Sequence, residues 1–269
     1  AFLMMFDFMH FTQTRLGTAD SFLLFFIMLM YYFMLDYYDS YSYERGFFKS
    51  LIPLLFCGIA LGLGASTKWI ALYGAFGLAI LFFLSRGYEF ARYRKKELKG
   101  WATKYFWLTC VCCILFFIII PFAVYVLSFA PINYNNAEGN LVETVIESFK
   151  NMFDYHKNVT AVHPYQSPWF EWPLNIRPIF YYQGALLPEN WGASIACLGH
   201  PLLFWVGIIA FFIMLWSIIK NIFKKKNFIG ENKLVLFPVI GYLSLYLPWV
   251  IAPRKITFIY HYFSCIPFL

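Results

Sequence analysis

The sequence is poor in charge. Asp, Glu, Lys and Arg make up only 13% of its 269 residues, about half the share of an ordinary soluble domain. It also lacks Cys and His ligands at zinc-finger spacing, a Gly-rich phosphate loop, a metal-binding helix pair and a Ser/His/Asp triad. No metal set and no cofactor is therefore evident. The six cysteines, Cys57, Cys110, Cys112, Cys113, Cys197 and Cys265, fall mostly in apolar runs and read as small hydrophobes at lipid or helix contacts. No signal sequence is visible at Ala1. Both ends lie in apolar sequence, which is expected of a fragment truncated at each end.

Apolar residues are abundant instead. Hydrophobic residues reach 61% and aromatics 23%. A single water-facing core cannot bury so much apolar surface, whereas a bundle whose outer solvent is lipid leaves it exposed at no cost. The fold class expected is an all-α polytopic membrane protein. A formal net charge of +7 would suit nucleic acid if the basic residues made one patch. Here they cluster between hydrophobic runs, so no nucleic-acid partner is expected and the lipid bilayer is.

Spans need roughly 17–25 mostly apolar residues. Leu16–Leu35, Leu51–Leu84, Tyr105–Phe129, Leu202–Ile219 and Leu234–Ile251 qualify, Leu51–Leu84 being long enough for two. Ala1–Phe11 reads as the tail of an earlier helix and Ile256–Leu269 as the start of a last one. Arg86, Arg92, Arg94, Lys95, Lys96, Lys99 and Lys104 form one basic cluster; Lys220, Lys224, Lys225, Lys226 and Lys233 form another. Cytoplasmic loops carry such excess. Two helices separate the clusters, so residues 130–200 fall outside. That stretch has three Lys/Arg (Lys150, Lys157, Arg177) against six Asp/Glu (Glu138, Glu143, Glu147, Asp154, Glu171, Glu189). The run Leu51–Leu84 reads as one long tilted helix or two short ones. Lys68 in its middle favours two, with a turn at Ala65–Lys68, because a charge at the bilayer centre costs ~2.5–3.5 kcal/mol or more. The chain then divides into a bundle at 1–129, an outer loop at 130–200 and C-terminal spanning helices at 201–269.

This threading places Arg15, Lys68, Arg254 and Lys255 together on the outer side, against the usual bias. Singly, each reads equally well as a snorkelling side chain; as a set they read as an anion site. Within the outer loop, Asn140–His156 has apolar residues at helical spacing and predicts a surface helix covering the bundle. His163–Leu174 is rich in Pro and Trp. Its mixture of stacking faces and polar groups suits a sugar ring as well as it suits an interfacial aromatic belt. Asn158-Val159-Thr160 fits a glycosylation acceptor.

Five segments resemble one family. Phe6–Arg15 followed by Asp20-Ser21 is similar to the Gln-(Ser/Thr)-Arg segment of protein O-mannosyltransferases. Gly62–Trp69 resembles the family's small-residue stretch ending in Lys-Trp. His163–Pro173, continuing to Arg177-Pro178 and Tyr181-Tyr182, resembles its Trp-Pro segment. Gly199-His200-Pro201 resembles a Gly-Asn-Pro motif, with His200 in place of Asn. Arg254–Tyr262 resembles the closing outer motif.

The resemblance implies a GT-C type bundle of the bacterial kind. The outer loop is too short for the β-trefoil domain that many eukaryotic members insert there. It also implies transfer of mannose from polyprenyl or dolichyl phosphate mannose to Ser/Thr hydroxyls of proteins, with inversion, at the outer face of a bacterial plasma membrane. The family's catalytic acidic pair would precede residue 1, which leaves the catalytic residues unassigned here. Arg15, Lys68 and Arg254 are the candidates for the donor phosphate, since fixed cations stabilise a leaving group whose charge grows. Asp7 and Gln13 are candidates to orient Arg15 or the acceptor. His163, Tyr165, Trp169, Trp172 and His261 are candidates to line the substrate cleft. The alternatives are another lipid-phosphate-sugar transferase acting on a glycolipid, a transporter, or a scaffold subunit.

Overall fold

The computed structural model describes residues 2–40, 42–93, 100, 102–135, 140–158, 162–184, 187–188, 190–223, 233–251, 254 and 256–269. The sequon residues Val159 and Thr160, the cations Arg94–Lys99 and Lys224–Lys226, and Lys255 lie outside the described residues. Among the described residues six helices are long and apolar enough to cross a membrane: α2 (Asp20–Asp39), α3 (Phe47–Thr67), α4 (Ile70–Tyr93), α5 (Ala102–Tyr134), α7 (Pro201–Phe223) and α8 (Leu234–Ile251). Such a chain is a multi-pass membrane protein of mostly helical architecture.

The run Leu51–Leu84 resolves into two helices. Lys68 ends α3 with an extended backbone (φ −153°), and its amide still donates to the Gly64 carbonyl. The chain reverses at once into α4. Within α5, two π-helical segments, Ala102–Trp107 and Leu115–Ile119, interrupt the α-helix. The second ends two residues before Pro121. A proline supplies no N–H and clashes with a preceding carbonyl, and a widened turn accommodates both defects.

Small residues let α3 and α5 approach. Gly58 and Gly62 lie four residues apart on one face of α3. A Cβ at Gly58 would run into the Phe116 carbonyl, and one at Gly62 would come within 2.9 Å of Pro121 Cα. In lipid, where burial gives no hydrophobic drive between helices, such close backbone contact supplies the packing energy.

The two ends of the chain differ from the expectation of helix fragments. Residues 2–13 form two short helices, Phe2–Met5 and α1 (Phe8–Gln13), separated by Asp7, which caps the second. Ile259–Phe268 forms a 3-10 helix where an α-helical segment was expected. It is buried almost throughout, with the Tyr262 and Tyr242 hydroxyls 2.9 Å apart and Phe268 edge-on to Tyr31. Apolar partners on every side replace lipid as its solvent. The surface helix α6 (Leu141–Asn158) forms as its periodicity predicts, with Phe149 against Trp69 at the α3–α4 turn.

A two-stranded ribbon has no counterpart in the sequence expectation. Strands β1 (Ile179–Gln183) and β2 (Ser194–Cys197) pair antiparallel, Ile179 opposite Cys197 and Gln183 opposite Ser194. A bulge between Phe180 and Tyr182 leaves Tyr181 as the extra residue. Bulges commonly re-aim a side chain, and this one sends the Tyr181 hydroxyl to α1.

Arg86 also departs from expectation. It was counted among cytoplasmic loop cations, but it is only 1% exposed. It lies 2.6 Å from Glu89, donates to Ser42 Oγ and stacks on Tyr37. Glu89 accepts from the Ser42 and Tyr43 amides. The pair therefore ties α4 to the one-turn helix Ser42–Arg45, at the end of the bundle away from Lys68.

Candidate functional site

The site forms where three helix ends meet the loop at 130–200. Asp20 opens α2, Lys68 closes α3, and Arg254 follows α8. Lys68 Nζ lies 2.7 Å from Asp20 Oδ1, with Asp20 buried and the lysine side chain about a third exposed (31%). The same ammonium sits 5.4 Å from the centre of the Tyr260 ring. Tyr260 stacks on His261 at 4.4 Å, and His261 Nε2 lies 3.4 Å from Arg254 Nη1. Thus Lys68 and Arg254 are joined through Tyr260 and His261, with Asp20 as the counter-charge.

His261 is neutral in this setting. Burial pushes its pKa down to about 3, and the charges of Arg254 and Lys68 act in the same direction. Arginine has no acceptor to offer, so Nε2 must carry a lone pair toward it. The other ring nitrogen, Nδ1, lies 2.9 Å from the Phe258 carbonyl and 3.1 Å from the Phe258 amide nitrogen. A neutral acceptor orients Arg254 without cancelling its charge. Burial likewise raises the Tyr260 hydroxyl pKa, with Asp20 adding to the effect.

Other candidates are placed differently. Arg15 is exposed, with its guanidinium 3.6 Å from the centre of the Phe11 ring; among the described contacts none joins it to Lys68 or Arg254. Asp7 is fully buried and accepts from the His10 amide (2.8 Å) and the His200 amide (2.9 Å). Those bonds cap α1 and tie it to the start of α7, and they direct neither oxygen at Arg15. Burial raises the Asp7 pKa in spite of them. Gln13 is buried and donates to the Tyr181 hydroxyl (2.8 Å), while its carbonyl oxygen accepts from Thr18. It holds the ribbon on α1, helped by the Thr12 hydroxyl, which donates to the Ala196 carbonyl.

The Trp-Pro segment splits in role. Trp172 is fully buried: its indole N–H donates to Ser167, and its ring stacks on His261 and meets Trp249 edge-on. It supports His261 from behind. Trp169 is partly exposed and packs edge-on to Tyr246. Tyr165 accepts from Gln183 and stands against Phe180. His163 is exposed, edge-on to Phe258. Asn175, at φ 57°, exchanges two hydrogen bonds with the Gly199 backbone and closes the segment onto the start of α7. Asn tolerates that left-handed conformation better than most residues.

Sequence reasoning had not assigned roles to Asp20, Tyr260, Tyr181 or Trp249. Asp20 and Tyr260 stood inside the quoted motifs, next to chosen residues. An acidic residue at the start of a span, on the same side as an unexplained lysine, was the available signal for the pair.

Two family models match almost end to end. Residues 1–132 match "Dolichyl-phosphate-mannose-protein mannosyltransferase", and residues 141–269 match "C-terminal four TMM region of protein-O-mannosyltransferase". The chain belongs to the protein O-mannosyltransferase family. Among the relatives of this chain is a polyprenol-phosphate-mannose–protein mannosyltransferase of Corynebacterium glutamicum, 23% identical over 78% of this chain and 44% of that protein. Its Mycolicibacterium smegmatis counterpart is 22% identical over 79% and 44%. Dolichyl-phosphate-mannose–protein mannosyltransferase 1 of Candida albicans is 25% identical over 50% of this chain and 16% of its own length. The chain thus spans less than half the length of the relatives it matches. No solved structure matches it.

Proposed function

We propose that this chain is the part of a protein O-mannosyltransferase that holds the leaving lipid phosphate and the acceptor. The donor is a polyprenyl or dolichyl phosphate mannose, the acceptor a Ser or Thr hydroxyl of a protein. The reaction takes place with inversion at the outer face of a bacterial plasma membrane. The observation that carries this reading is the linked group Asp20–Lys68–Tyr260–His261–Arg254 at the loop end of the bundle. Residues 1–129 and 201–269 bring the helix ends together, and 130–200 covers them.

In the transfer, the acceptor oxygen bonds to the anomeric carbon and the bond from that carbon to the phosphate oxygen breaks. The phosphate leaves with the electron pair, and a base takes the hydroxyl proton. Charge therefore grows on the phosphate. Lys68 offers the ammonium donors that Asp20 leaves free, and Arg254 offers a planar fork held by neutral His261. Both are preorganised before charge develops, which is where such donors act most strongly. Arg15 adds a third cation from the loop before α2.

The test uses the full-length protein with polyprenyl phosphate mannose and a Ser/Thr peptide. Lys68→Ala and Arg254→Ala should each cut transfer by about 10²-fold or more, the scale seen when one preorganised donor is removed, while thermal unfolding shows a folded protein. Undiminished transfer in both variants would sink the phosphate site. Mannose arriving on lipid but never on peptide would favour a glycolipid-modifying enzyme.

A further inference from the structure

Beside this group lies a cavity of about 320 Å³ that opens on the loop side. Its size is at the small end for ligand sites. Trp169, Trp172 and Trp249 supply its apolar wall, and Arg177 and Arg254 supply two guanidinium groups. None of its described lining residues carries a carboxylate. Lys68, the cation tied to the helix ends, does not line it. The wall also holds an unsatisfied donor: Trp249 is only 4% exposed, and its indole N–H has no acceptor.

Arg177 has not entered the donor site. It is carried by the loop at 130–200 and shares the cavity with Trp249 and Val250 of α8 and with Arg254. Its Nη1 donates to the Gln166 carbonyl at 2.9 Å, which fixes the direction of the fork. Its Nε stands 3.9 Å from Glu171 Oε2, too far for a hydrogen bond. That carboxylate oxygen has no hydrogen-bond partner of its own. The side chain of Arg177 is 48% exposed. Arg177 is therefore oriented but weakly paired, with donors open to an anion arriving from water.

We propose that Arg177 binds a carboxylate of the acceptor polypeptide, so that hydroxyls flanked by Asp or Glu are preferred. This rests on the transferase reading above and assigns the loop end of that site to the acceptor. A planar carboxylate matches a guanidinium fork, and the Trp169 face takes the methylene carbons that carry it.

The experiment compares two Ser/Thr peptides in the full-length enzyme, one with Asp beside the accepting residue and one with Asn there. The wild type should show a roughly ten-fold lower KM for the Asp peptide, the scale of one charge-assisted hydrogen-bonded contact, and the ratio should shrink as salt is raised. Arg177→Gln should bring the two KM values together. Arg177→Lys should keep part of the ratio, as a point charge without the fork. Glu171→Gln should widen it by freeing Arg177, an effect that a purely structural role would not produce. Equal KM values in the wild type, or an unchanged ratio in Arg177→Gln, overturn the proposal. So does a higher donor KM with the peptide ratio intact, which would give the cavity to the lipid phosphate. A wild type that transfers to no peptide defeats the transferase reading itself, and this inference falls with it.

Discussion

His261 shows how a residue's setting decides its role. By type it is a proton shuttle near neutral pH; in place it is a neutral acceptor that aims Arg254. Its pKa falls from about 6.5 to about 3 on folding, chiefly through burial. The unfolded chain therefore binds a proton below pH 6.5 that the folded chain refuses. Its contribution to stability is complete above that value and is lost as pH drops toward 3. Between pH 7 and pH 5 this group should cost about 2 kcal/mol. His261→Asn should be less stable at pH 7 and should lose less stability than the wild type on going to pH 5. Unfolding midpoints in detergent at the two pH values would show it; equal losses in both proteins would put His261 in contact with water. Lys68 carries the complementary lesson. As a lone lysine in an apolar run it was legible as a break and as a cation on one face. Its pairing with Asp20 was signalled only by side and by span start, because 48 residues separate the two in sequence.

At the scale of elements, the α3–α5 contact depends on absent side chains. Gly58 stands against a backbone carbonyl, which cannot move aside as the end of a flexible side chain can. Gly58→Ala should separate the helices or bend α5, with a loss of about 1–3 kcal/mol, the cost of overfilling a packed interface. Gly87→Ala, with nothing near its missing Cβ, is the control and should change little. Equal unfolding midpoints for the two variants would mean that α3 and α5 do not pack as described. The apolar spans were legible because each needs only length and composition; α8 begins and ends at the expected residues. The ribbon was not legible. A short Ile-Phe-Tyr-Tyr-Gln strand has no period distinct from its aromatic surroundings, and its partner lies across a loop. The 3-10 form of Ile259–Phe268 was not legible for a related reason. In a ten-residue run interrupted only by His261 and Ser264 there is little contrast between a threefold and a 3.6-fold repeat.

For the whole molecule, the arrangement has two unlike ends. Asp20, Lys68, Arg254 and the outer loop gather at one; Arg86, Glu89, Ser42 and the Arg45–Asp36 pair lie at the other. Topology is testable by labelling in a background without the six native cysteines. Arg177→Cys should react with a membrane-impermeant maleimide added to intact cells, and Lys220→Cys should react only after the cells are opened. The reverse pattern would turn the site toward the cytosol and remove an outer-face reaction. Between the ends, α5 and α7 expose long apolar faces, including Ile118, Phe122, Phe212 and Trp216. Lipid is the solvent that leaves those faces satisfied.

The amino-acid sequence by itself determined that the chain lives in lipid, where its spans fall, and which lysine breaks a long apolar run. These are local properties, written in hydropathy and in the cost of a buried charge. The tertiary structure alone decided which charges meet. It paired Lys68 with Asp20, set neutral His261 against Arg254, withdrew Trp172 and Asp7 into supporting positions, and turned Arg177 toward a cavity. Such pairings depend on distances between residues far apart in the chain, and only packing sets those distances.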